Sequence, residues 1–254
     1  INSATRELQA KTYFAINGTK VFHIPDEFDT TVTQRLEWMK ELGVRWERSD
    51  WWWHVIEPSP GQFDFSFPDK IVQRFEAEGV QILPILCYGA KDWTHGNAPV
   101  TEEHRNAFAN YVYRTVSRYK DSFTYWSVWN EPNILPFWSP EPNVEHYAAL
   151  LKAAFQAAKR ADPDCKILAP VLAGFDKTFT ERLYQLGCKD YFDVFDYHYY
   201  RHHPPENEVP DEIATIRALM QRFGDNKPIW ITETGVSSPV MKKPASYDLQ
   251  AALI

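Results

Sequence analysis

What the 254-residue chain has little of narrows the reading first. Cysteine is scarce. Cys87, Cys165 and Cys188 are odd in number and too widely spaced for a metal knuckle. A full disulfide framework is thereby excluded, one pair at most is possible, and buried free thiols are the expected state. Positive charge is in deficit, 27 Lys and Arg against 34 Asp and Glu, for a formal net charge of -7. That balance argues against the basic stripe needed to hold phosphate backbones, so no nucleic-acid partner is expected. No apolar run approaches the roughly 18 residues that would span a bilayer, so no membrane partner is expected either. The start, INSATRELQAK, lacks the charged, apolar and small-residue sections of a signal peptide. The chain reads as soluble; a secreted or periplasmic protein with its signal removed is compatible with this, and compartment and oligomeric state stay open. Asn17-Gly18-Thr19 fits a glycosylation acceptor, but Asn-Gly between KTYFAI and KVFHI fits a hairpin turn better.

Aromatic residues, by contrast, are plentiful at 15%; flat rings suit sugars, although most must be core. The hydrophobic pattern alternates strand and helix nearly throughout. A first strand falls somewhere in residues 12–23. Val32, Leu36, Met39 and Leu42 then share one helical face in 30–42, which stops at Gly43. VRWERSDWWW, VQILPILCYG, TYWSVWN, KILAPVL, FDVFDYHYY and KPIWITETG read as strands two to seven. Between them, helices are expected around IVQRFEAEG, over 101–119, from Val144 until Pro163 ends it, over 178–187 and over 211–223. No linker, repeat or low-complexity tract interrupts the series. Such alternation implies an α/β fold with a parallel sheet, either open and doubly wound or closed as a (β/α)8 TIM barrel. The absence of a Gly-rich phosphate loop after the first strand weakens the dinucleotide-binding form of the open sheet, and the barrel is expected. SYDLQAALI reads as the start of the seventh helix. Strand eight and helix eight are therefore expected to be absent, and residues 1–254 to form a single barrel domain that is incomplete at its C-terminal side.

Barrel chemistry sits at the carboxyl ends of the strands. Arg48 follows strand two, Asn130 and Glu131 end strand four, His198 and Tyr200 end strand six, and Glu233 ends strand seven. Two carboxylates facing each other across one mouth are what glycosidic bond cleavage needs, one protonated to serve the leaving oxygen and one ionised. A carboxylate near Arg48 and the Tyr200 hydroxyl would be held ionised, whereas one in apolar or aromatic surroundings would keep its proton longer. Each residue also has a plainer reading. Glu131 and Glu233 could be strand-end or capping acids, Arg48 a partner of Asp50 or Glu47, and His198 a satisfied core histidine.

VWNEPN at 128–133 together with ITETG at 231–235 resembles the clan A glycoside hydrolases. RWERSDWWWHVIEPSPGQFDF is similar to the strand-two region of the family 39-like and cellulase-like members. The resemblance covers about residues 12–240, and it implies a retaining β-glycoside hydrolase on a (β/α)8 barrel. Residue by residue, it makes Glu131 the acid/base, Glu233 the nucleophile and Asn130 the holder of the sugar 2-hydroxyl. Arg48 and Tyr200 of His198-x-Tyr200 become supports of the nucleophile. Thr124, Trp126 and Ser127 depart from the family 39 pattern ahead of Asn-Glu-Pro, which ties the resemblance to the clan rather than to one family. Trp93 and Trp138 lie where sugar subsites form, yet either could equally pack its loop.

No cofactor and no metal are expected. The adjacent His202 and His203 in RHHPPENEVP cannot both reach one ion from a strand, and the segment reads as a solvated loop. The expected partner is a β-linked oligo- or polysaccharide. A transglycosylase with the same site and a non-catalytic carbohydrate-binding barrel are the rival readings; a Schiff-base lyase is disfavoured because no Lys ends a strand.

Overall fold

The computed structural model describes residues 15–18, 28–201 and 208–236. Within them seven strands form one parallel sheet in sequence order: β1 (Ala15–Asn17), β2 (Trp46–Trp52), β3 (Gln81–Cys87), β4 (Tyr125–Val128), β5 (Lys166–Ala173), β6 (Val194–Arg201) and β7 (Ile229–Val236). The principal helices between them are α1 (Phe28–Glu41), α2 (Ser66–Ala77), α3 (Glu102–Tyr119), α4 (Val144–Ala161), α5 (Lys177–Gln185) and α6 (Glu208–Arg222). Single helical turns also follow β2 at Trp53–Ile56 and β3 at Lys91–Thr94. The sheet curls into a nearly closed barrel, because side chains meet across it. Tyr125 on β4 packs against both Trp46 on β2 and Trp230 on β7, with ring centroids 6.2 and 4.9 Å away. With Leu83, Leu168 and Val194 these rings plug the barrel at the amino ends of the strands. A larger apolar layer joins the outer strand faces to the helices, which is why β3, covered on both faces, is buried almost throughout. Among the described residues β1 pairs only with β2, β7 pairs only with β6, and no eighth strand is present.

Most boundaries follow the sequence pattern, and the departures have local causes. Strand four stops at Val128 rather than continuing into Asn130, because Trp129 and Glu131 take left-handed backbone angles, φ 68° and 46°. Helix α2 begins at Ser66, ahead of IVQRFEAEG: Asp64 accepts the Ser66 N–H at 2.8 Å, and Pro68 is tolerated in a first turn. Asn17 closes a strand parallel to β2, and Gly18 donates its N–H to the Arg48 carbonyl at 2.7 Å. The second arm of the expected hairpin, the loop 202–207 and SYDLQAALI lie outside the described residues. All three cysteines are buried and free. No helix among the described residues is long and apolar enough to cross a membrane.

One buried ion pair ties β1, α1 and β2 together. Glu47 is fully buried and accepts from Arg35 at 2.5 Å, while its second oxygen has no hydrogen-bond partner among the described residues. A Cβ on Gly18 would lie 1.5 Å from that carboxylate, so a larger residue there would have to push the Glu47 and Arg35 side-chain ends aside. Burial pushes Glu47 up from 4.5 to about 7, with Arg35 offsetting part of the shift. Folded Glu47 therefore keeps a proton that the unfolded chain releases near 4.5. Its contribution to stability is full below that pH and is lost as pH rises through about 7. Thermal melts should show Tm falling between pH 5 and pH 8. The fall should be shallower in Glu47→Gln; an equal slope in both proteins would remove Glu47 as a cause.

Candidate active site

Three strands and one bend deliver the site: Arg48 is the third residue of β2, inside the strand rather than after it as expected, His198 and Glu233 are each fifth in β6 and β7, and Asn130 and Glu131 follow the end of β4. Arg48 lies on β2 with 1% of its surface exposed, so its guanidinium needs partners from other strands. It has three. One nitrogen donates to Glu233 Oε1; the other donates to Asn130 Oδ1 at 3.2 Å and lies 3.1 Å from His198 Nε2. Arginine carries only donors, so His198 Nε2 accepts and its ring proton sits on Nδ1. That Nδ1–H donates to Glu131 Oε1 at 2.7 Å. The same logic turns the Asn130 carbonyl toward Arg48 and leaves its amide N–H groups for a ligand. Tyr200 closes the set, its hydroxyl donating to Glu233 Oε2 at 2.8 Å.

The electrostatics follow from burial. His198 is fully buried and beside Arg48, and both effects push it down to about 3, so the ring is neutral. Burial raises Glu131, against a smaller opposing pull from Arg48. Because Oε1 of Glu131 already accepts from His198, the proton of the neutral acid belongs on Oε2. One oxygen each of Glu131 and Glu233 and one His198 nitrogen all lie within 4.8 Å of one another. Such a trio could be read as a set of metal ligands. The Arg48 guanidinium already supplies the cation there, and a divalent ion would have to displace it.

Backbone irregularities aim the two carboxylates. On β5, pairing with β6 skips Val171, whose φ of 55° is a strained conformation for a β-branched residue. Its carbonyl accepts the Glu131 N–H at 2.9 Å. The Asn133 side-chain oxygen adds a second tie, accepting the Ala173 N–H at 2.9 Å. On β7, pairing with β6 jumps from Tyr197↔Ile231 to His198↔Glu233, leaving Thr232 as an extra residue.

The structure thus brings together Arg48, Asn130, Glu131, His198, Tyr200 and Glu233. It does not add Trp138, which is fully buried with its ring edge-on to Trp129 and Tyr147 at 5.3 and 5.8 Å. This corrects the sugar-subsite expectation, since packing leaves no ring face open. Trp93 is half-buried and stacked on Trp53 at 6.3 Å. Two further acids lie near the site: Asp50, which the sequence offers only as a pairing partner of Arg48, and Asp196, which it does not single out. Asp50 accepts from the Cys87 thiol at 3.7 Å, and burial pushes it up to about 6 against the pull of Arg48. Asp196, fully buried, is raised to about 7 by burial, again with Arg48 opposing. Strand alternation would have pointed to both, since they sit two residues from Arg48 and from His198 on the same strands.

Against known proteins, a beta-galactosidase family model matches residues 23–91. The chain is similar to a beta-xylosidase of Geobacillus stearothermophilus, 24% identical over 230 residues, which take in 76% of this chain and 45% of that protein. Its fold is similar to that of a family 39 glycoside hydrolase from Bacteroides cellulosilyticus WH2, with TM-score 0.75 and 21% identity over 94% of this chain and 51% of that one. It is also similar to a GH39 beta-xylosidase from Caulobacter crescentus, with TM-score 0.69 and 18% identity over 89% of this chain and 54% of that one. The chain spans about half the length of these relatives. A glycosyl hydrolase catalytic core model matches residues 95–253, more than half of the sequence, and the chain belongs to that family.

Proposed function

We propose that the chain is the catalytic barrel of a retaining β-glycosidase acting on neutral β-linked sugars without a cofactor. The observation that carries this reading is the spacing of the two acids. One oxygen of Glu131 lies within 4.8 Å of one oxygen of Glu233, a close approach compatible with the carboxyl separation of about 5 to 5.5 Å at which one carboxylate attacks directly. Inversion needs about 6.5 to 9.5 Å to admit a water. Glu233, its two oxygens held by Arg48 and Tyr200, attacks the anomeric carbon as the bond to the leaving oxygen breaks. Glu131 gives its Oε2 proton to that oxygen. Water then attacks the glycosyl-enzyme, its proton returning to Glu131, and Glu233 is released. Neutral His198 accepts from Arg48 and donates to Glu131, so it orients the acid without adding charge. The Asn130 amide is placed to hold a sugar hydroxyl whose bond tightens as the ring flattens.

Charge favours a neutral substrate. Among the described residues, the hydrogen-bonded network of the site holds one cation, Arg48, facing Glu131 and Glu233 with Asp50 and Asp196 close by. With Glu131 carrying its proton and Arg48 paired with Glu233, this network has no spare cation to receive a uronate carboxylate. The similarity to beta-xylosidases makes xylosides the first substrates to try, and catalysis rather than binding alone is favoured because both acids have their supporting groups. In an aryl β-xyloside digest followed by proton NMR, the β-anomer of the free sugar should appear first and mutarotate later. Initial release of the α-anomer would mean inversion and would sink the direct-attack role of Glu233.

A further inference from the structure

Strict alternation along β7 would turn Glu233 away from the barrel. Trp230 lies in the apolar plug of the interior, so a period of two places Thr232 inward, Glu233 outward and Thr234 inward. The extra residue reverses the order. Thr232 has no partner on β6, Glu233 pairs with His198, and Gly235 pairs with Tyr200, so Glu233 joins the inward row that carries His198 and Tyr200. Thr234 is turned the other way, its hydroxyl donating to the Tyr199 carbonyl at 2.9 Å.

An insertion of this kind needs something to hold it, because an unpaired residue has surrendered its ladder bonds. Here the tie is specific. Thr232 Oγ1 lies 2.8 and 2.9 Å from the two carboxyl oxygens of Asp196, a residue with 0% exposure that pairs with Trp230, just below the shift. The geometry points to Asp196 and Thr232 as a latch, two positioning residues that pin the extra residue of β7 and so aim Glu233 into the site without touching substrate. The inference rests on the reading of Glu233 as the nucleophile. The latch works in either protonation state of Asp196. Ionised, the carboxylate accepts the hydroxyl proton; neutral, the acid donates to Oγ1 and accepts in return.

The test uses the aryl β-glycoside that the parent protein cleaves fastest, and its 2-deoxy-2-fluoro counterpart as a covalent label located by peptide mass. Thr232→Val keeps the shape and removes the hydroxyl; Thr232→Ser restores it. Label on Glu233 in the parent is expected. Thr232→Val should lower both kcat and the labelling rate about 10- to 100-fold, the cost of an attacking group misplaced by about 1 Å, with KM within about threefold. Thr232→Ser should stay within about threefold of the parent in kcat. A role confined to fold stability would shift Tm and leave the kcat of the folded enzyme in place. Should valine prevent folding, Thr232→Ala, which lacks the hydroxyl and adds no bulk, is read the same way. Label on Glu233 with parental kcat in the hydroxyl-free variant, or a loss confined to KM, overturns the latch and leaves the nucleophile standing. Label elsewhere, or no label, overturns both.

Discussion

Glu233→Ala is expected to lose on the order of 10^6-fold in kcat, the scale seen when a covalent nucleophile is removed. Azide should then restore turnover, giving a glycosyl azide of inverted configuration, because the anion fits the space of the lost carboxylate and attacks the same face once. The structure gives this variant a good prospect of folding. Arg48 loses one acceptor but keeps Asn130 Oδ1 and His198 Nε2. Asp50 and Asp196 remain near enough to be drawn down by its charge, so the buried guanidinium is not left uncompensated. A folded Glu233→Ala with parental activity would end the assignment, and inactivity without azide rescue would leave it unsupported.

Glu131 should separate the two chemical steps. In Glu131→Gln the side-chain oxygen still accepts from His198 Nδ1–H, so the variant removes the transferable proton with little change in packing. On glycosides whose leaving group needs proton assistance, kcat/KM should fall about 10^2- to 10^4-fold, the usual worth of a placed general acid. On a dinitrophenyl glycoside the first step should survive and the second should stall, giving a burst of phenol and a low steady rate. With Glu131→Ala, azide attacking the glycosyl-enzyme should yield a product of retained configuration, opposite to that of Glu233→Ala. Equal losses on good and poor leaving groups would move the acid role away from Glu131.

Much of this is legible in the sequence. The continuous apolar run of β3 suits a parallel sheet covered on both sides, and the residue types gathered toward the strand ends announce a common mouth. Arg48, His198 and Tyr200 are readable as residues of catalytic type where strands two and six are expected to end, and from the resemblance of the surrounding motifs. What alternation cannot show is its own interruption. Neither Val171 nor Thr232 carries a mark as the extra residue of its strand, since the phase of a strand is set by its neighbours' hydrogen bonds and not by its own side chains. Trp138 failed as a subsite candidate for a related reason. An aromatic ring suits a sugar or a protein core equally well, and only the packing of Trp129 and Tyr147 around it decides. Asp196 was within reach of period-two reasoning. In the sequence alone, however, a carboxyl two residues below a histidine looks like any solvated strand-edge acid until the barrel closes over it.

The left-handed backbone at Trp129, Glu131 and Val171 bears on any attempt to make the protein more robust. Engineering for thermal tolerance ranks such positions as local faults and replaces them with residues suited to their angles, or reshapes the chain toward regular geometry. Glycine at Val171 would relax its own torsion and return freedom to the unfolded chain. It would also empty a fully buried side-chain site and loosen the carbonyl that anchors the Glu131 amide, so the exchange would cost melting temperature and the aim of Glu131 together. These three residues belong on the list of positions to hold fixed, and activity should be screened alongside Tm at each round.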